Sequence, residues 1–395
     1  MMRILFVDDE PNVLSGLRRM LRSKRGEWEM KFFDKGADAL QSLSEESCDV
    51  VVSDMRMPGM DGVKVLSAVK EKHPDSIRIA LSGQTDAHMI YRCVEHAHQF
   101  LSKPCDVDTL AATVQRAFAL RELLQDEGLS RLVSNLTSLP SMPEQYQLIM
   151  NELQTEDASL QKVGAIIESD VAMTAKILQL VNSAFFGLTK HVSSPAQAAM
   201  FLGVDVLKSL VLSTGVFTQF DEELLRTLNL GSIWPNSVRM GAIAKSITLE
   251  ASDDKMLADY AYMGGMLADI GKVVLACNKP ELLIAAHEAA QANGLTDWEA
   301  EVETIGQSHM AVGAYLVGLW GLPNPIVEAV AFHHRPIDCP GSQFSAVTAV
   351  HVASALVYAN GTGELSELDT EYIETLGLTD KLQGWRELSE EQGDE

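Results

Sequence analysis

No stretch of about 20 uncharged apolar residues occurs in the 395-residue sequence, so no membrane-spanning helix is expected. The longest candidate, residues 196–217, is interrupted by Asp205 and Lys208. Cysteine is scarce: Cys48, Cys93, Cys105, Cys277 and Cys339 are odd in number and widely spaced, with no Cys-x-x-Cys. That pattern excludes a zinc finger and a disulfide-stapled scaffold. A secretory leader is not expected, because Asp8, Asp9 and Glu10 come too early for its apolar core. A reducing cytoplasm is therefore the expected compartment. Positive charge is short as well: 31 Lys and Arg stand against 55 Asp and Glu, for a net charge of −24. The densest basic stretch, Arg18 to Arg25, is one short segment, and no helix-turn-helix with basic flanks stands out. DNA and anionic membrane surfaces are not expected partners. No internal repeat is detected.

What is present falls into unlike halves. Residues 1–122 alternate short apolar runs with amphipathic segments. The runs are Arg3–Val7, Glu29–Phe33, Asp49–Ser53, Ile77–Leu81 and His98–Ser102. Each is β-branched or aromatic-rich and precedes a helical pattern, so five β–α units and a parallel sheet are expected. The helix after the fifth run starts near Asp106 and shows apolar Leu110, Val114, Ala117 and Phe118. Its pattern continues toward Leu129, Leu132, Val133 and Leu136, which makes 123–138 a linker helix. From Leu139 the texture turns to Ala/Leu-rich helices broken by Gly, Pro and Asn, giving an all-helical domain over 139–360. Residues 361–395 hold 11 acids against Lys381 and Arg386, and read as an acidic tail of short helix plus disorder.

Ligands of an open parallel sheet sit at the carboxyl ends of its strands. Asp8, Asp9 and Glu10 follow the first strand, Asp54 ends the third, Ser82 the fourth and Lys103 the fifth. Strand order 2-1-3-4-5 brings Asp8, Asp9 and Asp54 together. Three carboxylates so close need a cation, and open oxygen sites favour Mg²⁺. With Lys103 and the Ser82 hydroxyl they make a phosphoryl-transfer site in which Asp54 attacks phosphorus. Taken singly, the same residues read as a helix N-cap cluster before Pro11 and a turn aspartate.

These residues lie in Phe6-Val7-Asp8-Asp9-Glu10, Asp54-Met55-Arg56-Met57-Pro58-Gly59-Met60-Asp61-Gly62, Leu81-Ser82-Gly83 and Phe100-Leu101-Ser102-Lys103-Pro104. The region resembles the receiver domain of two-component response regulators. The resemblance implies a five-stranded α/β domain in a bacterial phosphorelay. Asp54 would be the phosphoacceptor for a sensor histidine kinase or phosphotransfer protein, Asp8, Asp9 and Asp54 the Mg²⁺ ligands, and Ser82 the hydroxyl that meets the phosphate. Phe100 would be the switch aromatic. The altered face would be passed on by the helix after the fifth strand.

The helical half carries Leu139-Pro140, Met142-Pro143, Ile167-Glu168-Ser169-Asp170, Leu180-Val181-Asn182-Ser183-Ala184, Leu202-Gly203 and Trp234. It continues with Ala268-Asp269-Ile270-Gly271-Lys272, His309, Trp320-Gly321-Leu322-Pro323 and His333-His334-Arg335-Pro336. This ordered set resembles the HDOD domain, a degenerate relative of the HD phosphohydrolases. Asn236, Ala268 and Ser354 stand where the active relatives carry metal ligands, and Arg335-Pro336-Ile337-Asp338 replaces a Gly-Tyr-Pro signature. The implied output is protein–protein interaction with no cofactor in this domain, toward a diguanylate cyclase or a kinase; a homodimer is left open. The alternative is a receiver-controlled metal-dependent phosphohydrolase or cyclic-di-GMP phosphodiesterase, with Asp269, His309, His333 and His334 as a residual HD-type site. Adjacent Phe185 and Phe186 read as a helix end or a partner-binding patch.

Overall fold

The computed structural model describes residues 1–83, 96–103, 105–120, 133, 139–141, 148–149, 151–152, 159–181, 192, 194–212, 217–219, 232–341, 343–359, 365 and 367–391. Pro104, nearly all of the expected linker helix and the stretch Asn182–Gly187 lie outside these residues.

The first half is a five-stranded parallel sheet in the order β2-β1-β3-β4-β5, as expected. Its strands are β1 (Met2–Val7), β2 (Trp28–Phe33), β3 (Val50–Asp54), β4 (Ile77–Gly83) and β5 (Gln99–Lys103). Val50, Val51 and Val52 are fully buried, because a central parallel strand is covered on both faces and its side chains have no polar side to alternate with. Helices α1 (Pro11–Met20), α2 (Gly36–Glu45), α3 (Gly62–Lys72) and α4 (Val107–Leu120) accompany the sheet. Pro11 opens α1, where a missing N–H costs nothing. Asp61 caps α3 by accepting from the Lys64 N–H.

The second half is helical, with one addition that the sequence did not announce. Residues of β6 (Leu139–Ser141) pair in parallel with β7 (Phe217–Gln219). Proline at 140 and 143 disfavours helix for the residues before each, so this short segment takes an extended partner instead. Around it lie α5 (Leu160–Glu168), α6 (Val171–Val181) and α7 (Pro195–Leu212), kinked at Gly203. The remaining core is α8 (Ile233–Ala251), α9 (Lys255–Leu267), α10 (Ile270–Asn278), α11 (Pro280–Asn293), α12 (Asp297–Ile305), α13 (His309–Leu319), α14 (Asn324–Phe332) and α15 (Ala346–Tyr358).

The acidic C-terminal stretch departs from the expected tail. Helices α16 (Thr370–Thr375) and α17 (Leu382–Glu391) pack on the helical core and bury Tyr372, Ile373 and Trp385. The Trp385 indole donates to Glu250 at 2.7 Å, and Tyr372 and Thr348 share a hydroxyl–hydroxyl bond of 2.7 Å. A few aromatic anchors outweigh the charge excess: Glu371, Glu374, Asp380, Glu387 and Glu390 stay exposed, while Glu367 is only partly so.

The two halves touch. Helix α4 packs on α13, and the Gln99 amide at the start of β5 donates to the Leu319 carbonyl at 2.9 Å. The buried Arg78 of β4 lies within electrostatic range of Tyr315 on α13. Among the described residues, no helix is long and apolar enough to cross a membrane.

Candidate functional sites

The first site forms at the carboxyl end of the sheet. Register alone sets it: Val7 pairs with Ser53, Asp54 with Leu81, and Gly83 with Lys103. Asp8 leaves β1 with its backbone still tied to Phe33, and its Oδ1 accepts the Glu10 N–H at 3.0 Å. Asp54 Oδ1 accepts the Met55 N–H at 2.8 Å. The loop from Asp54 returns at Gly62, where a Cβ would overlap the Asp54 carbonyl, so only glycine lets α3 approach.

Lys103 Nζ lies 2.6 Å from Asp8 Oδ2 and 2.9 Å from Asp54 Oδ1. Asp8, Asp9 and Asp54 each offer an oxygen within 4.8 Å of the others. Burial raises the Asp54 carboxyl above its usual range, with Lys103 opposing and the Asp8 charge adding to the rise. Burial alone would lower Lys103, but its bonds to Asp8 and Asp54 hold it above the ordinary lysine range. Three carboxylates against one ammonium leave a surplus of two negative charges. The donors are all hard oxygens, which fits Mg²⁺. Phe100 is buried on β5, three residues before Lys103. The Ser82 backbone lies on β4, one step past the Asp54 partner; its side chain is outside the described set.

The second site lies inside the helical domain, and it brings Asp269, His309, His333 and His334 together, with ligand atoms within 4.8 Å of one another. Asp269 precedes α10, and His309 opens α13 behind its Ser308 cap. At Gly271 a Cβ would overlap the His309 carbonyl, so glycine there allows the two helix starts to meet. His333 and His334 follow α14, and both rings are buried; their centroids are 4.2 Å apart.

Residues that sequence reasoning missed orient this cluster. Glu301 Oε2 lies 2.7 Å from His309 Nδ1 and accepts the His309 N–H at 2.6 Å. Glu367 Oε2 lies 3.0 Å from His334 Nδ1, and His333 Nδ1 meets the Val330 carbonyl at 2.9 Å. The Tyr358 hydroxyl donates to Asp269 Oδ2 at 2.6 Å, and Lys272 Nζ lies 3.1 Å from Oδ1. Burial would raise Asp269, but Lys272 and the histidines hold it well below the usual carboxylate range. Burial, then neighbouring rings, pushes His333 well below the usual histidine value; burial also lowers His334. Asn236 bonds Tyr358, while Ala268 and Ser354 are buried without charge. A buried acid on α12 or after α15 has no distinguishing sequence pattern, so Glu301 and Glu367 left no signal.

Comparison with known proteins agrees with this division. Residues 4–115 match the family model described as the response regulator receiver domain, and residues 139–336, half of the chain, match the HDOD domain. An uncharacterized protein of Treponema pallidum (strain Nichols) is 25% identical over 274 residues, covering 68% of this chain and 50% of that protein. The DNA-binding transcriptional regulator NtrC of Escherichia coli (strain K12) is 31% identical over 122 residues, covering 30% of this chain and 26% of NtrC. The chain thus spans half or less of the length of these relatives. A crystal structure of the MmoQ response regulator from Methylococcus capsulatus str. Bath is 22% identical, covers 63% of this chain and 98% of its own, and gives a TM-score of 0.49.

Proposed function

The chain belongs to the HDOD family and carries a response regulator receiver domain, and from that premise we propose that Asp54 accepts a phosphoryl group whose arrival is read by the HDOD domain through protein contacts. The observation that carries this reading is Lys103 bridging Asp8 and Asp54 at the carboxyl end of the sheet. Asp54 Oδ1 is held by Met55 and Lys103, which leaves Oδ2 to form the new O–P bond. The N–P bond of a donor phosphohistidine breaks, and its ring nitrogen departs with the electron pair and is protonated. Mg²⁺ held by Asp8, Asp9 and Asp54 would neutralise phosphoryl oxygens. Lys103 holds the remaining charge, and Ser82 supplies a hydroxyl to the product. The donor is a sensor histidine kinase or phosphotransfer protein.

The output is a protein surface rather than hydrolysis. Tyr358 donates to Asp269 Oδ2, and Asn236, Ala268 and Ser354 supply no carboxylate or imidazole, so the donors for a two-metal, water-activating set are incomplete. A diguanylate cyclase or a kinase is the class of partner, in the cytoplasm, with no role for DNA given the charge of −24. Residues 1–122 act as the receiver, 123–138 as the connection and 139–360 as the output, extended by the packed helices α16 and α17. The message travels along β5. From Lys103 to Gln99 is about 13 Å of strand, with Phe100 between, and Gln99 holds Leu319.

Full-length protein treated with acetyl phosphate and Mg²⁺ will gain one phosphoryl group, lost in Asp54→Asn. Labelling that persists in that variant refutes the assignment. Turnover of cyclic-di-GMP or nucleotides with Mn²⁺, abolished by Asp269→Asn, refutes the non-hydrolytic output.

A further inference from the structure

The geometry points to a single transition-metal dication, Zn²⁺ by its donor set, held in the HDOD domain by Asp269 Oδ1, His309 Nε2, His333 Nε2 and a ring nitrogen of His334. This departs from the absence of a cofactor expected there, and it does not depend on the phosphorylation reading.

Each imidazole is already set for a metal. Nδ1 of His309, His333 and His334 faces an oxygen of Glu301, Val330 and Glu367 in turn. Carboxylate and carbonyl oxygens only accept, so Nδ1 of His309 and of His333 carries the proton and their Nε2 atoms keep the lone pair. Such outer partners fix the tautomer and orientation of metal-binding histidines.

His309 Nε2 and His333 Nε2 are buried with no hydrogen-bond partner among the described residues. His309 Nε2 sits 3.5 Å from Asp269 Oδ1, so two acceptors face each other in the fully buried interior. That is unfavourable unless a cation lies between them. Zn–N and Zn–O bonds of roughly 2.0–2.1 Å place tetrahedral donors about 3.4 Å apart, so this edge already has the right length.

Charge agrees. Among the described residues, Asp269, Glu301 and Glu367 stand around Lys272, three carboxylates to one ammonium, which leaves room for a dication. Three imidazoles with one carboxylate favour zinc-like ions over Mg²⁺. Four protein donors close the coordination shell, and Tyr358 occupies the other Asp269 oxygen. The ion is thus structural, tying the loop before α10, the start of α13 and the residues after α14.

The test uses full-length protein stripped with a chelator and titrated with Zn²⁺, with bound metal counted by mass spectrometry. One tight equivalent is expected, unchanged in Asp54→Asn. Asp269→Asn should weaken it at least 100-fold, and Glu301→Gln by about 10–100-fold, the usual effect of losing an outer partner. Co²⁺ substitution should give the strong visible bands of a tetrahedral site in wild type and not in Asp269→Asn. Circular dichroism checks that the variants remain helical; if Asp269→Asn unfolds, Glu301→Gln decides. No tight equivalent in wild type overturns the proposal. So does an equivalent that survives both HDOD variants or disappears with Asp54→Asn.

Discussion

The two acidic centres of this chain are built from similar parts and end in opposite states. Each sets three carboxylates against one lysine: Asp8, Asp9 and Asp54 with Lys103, and Asp269, Glu301 and Glu367 with Lys272. In the receiver, one lysine is shared between two carboxylates, and Asp54 rises above its usual range. In the helical domain, Asp269 has Lys272 on one oxygen and Tyr358 on the other, and falls far below it. Under the proposed function, the receiver arrangement leaves Asp54 Oδ2 to take the phosphoryl group. The helical arrangement sets Lys272 beside Asp269 Oδ1 and Tyr358 on Oδ2 in the buried interior, which suits holding and not turnover. The difference teaches that the partners assigned to each oxygen, more than the count of acids, decide what a carboxylate can do.

Substitutions at the two centres should have unequal effects. The largest effect is expected from Lys103→Ala, which removes the charge facing the transferring group. Acetyl phosphate labelling of Asp54 should slow by about 100-fold, while the helical domain is untouched. An equal rate would mean that Lys103 is a packing residue. Next comes Tyr358→Phe, which leaves Asp269 Oδ2 buried and unbonded. Unfolding of the helical domain should lose about 1–3 kcal/mol, with phosphoryl labelling unchanged.

The pH responses should have opposite signs. Asp269 is depressed on folding, so its ionised form adds stability that is present above about pH 4 and fades as pH falls below it. Asp269→Asn should therefore lose less stability than wild type between pH 6 and pH 3. Asp54 is raised on folding, so its contribution is present at low pH and is lost as pH rises through its raised value. Asp54→Asn should gain relative to wild type at neutral pH, and the gain should shrink on acidification. Urea titrations at several pH values read both; matching signs would remove the contrast. The smallest effect belongs to Gln99→Ala. Losing the bond to Leu319 should cost about 1 kcal/mol and loosen the contact between domains.

The receiver was legible almost entirely, because its chemistry sits at strand ends and strand ends are marked by short apolar runs. Asp8, Asp54 and Lys103 meet where register places them. The four residues of the second site were also visible, as remnants of a resemblance. What was hidden is what orients them. Tyr358 lies 89 positions from Asp269, and Glu367 follows α15 in a charged stretch that reads as surface. The same composition concealed the docking of Trp385, since one buried indole does not alter a count of acids. The Gln99–Leu319 bond spans 220 positions, beyond any local pattern.

The central claim is that Asp54 speaks to the helical domain through β5 and α4. Hydrogen exchange of the full-length protein, with and without beryllium fluoride and Mg²⁺, tests it most directly. Protection should change at 98–120 and also at 315–322, the segment that holds Gln99. Changes confined to residues before 121 would show two independent domains and contradict the account.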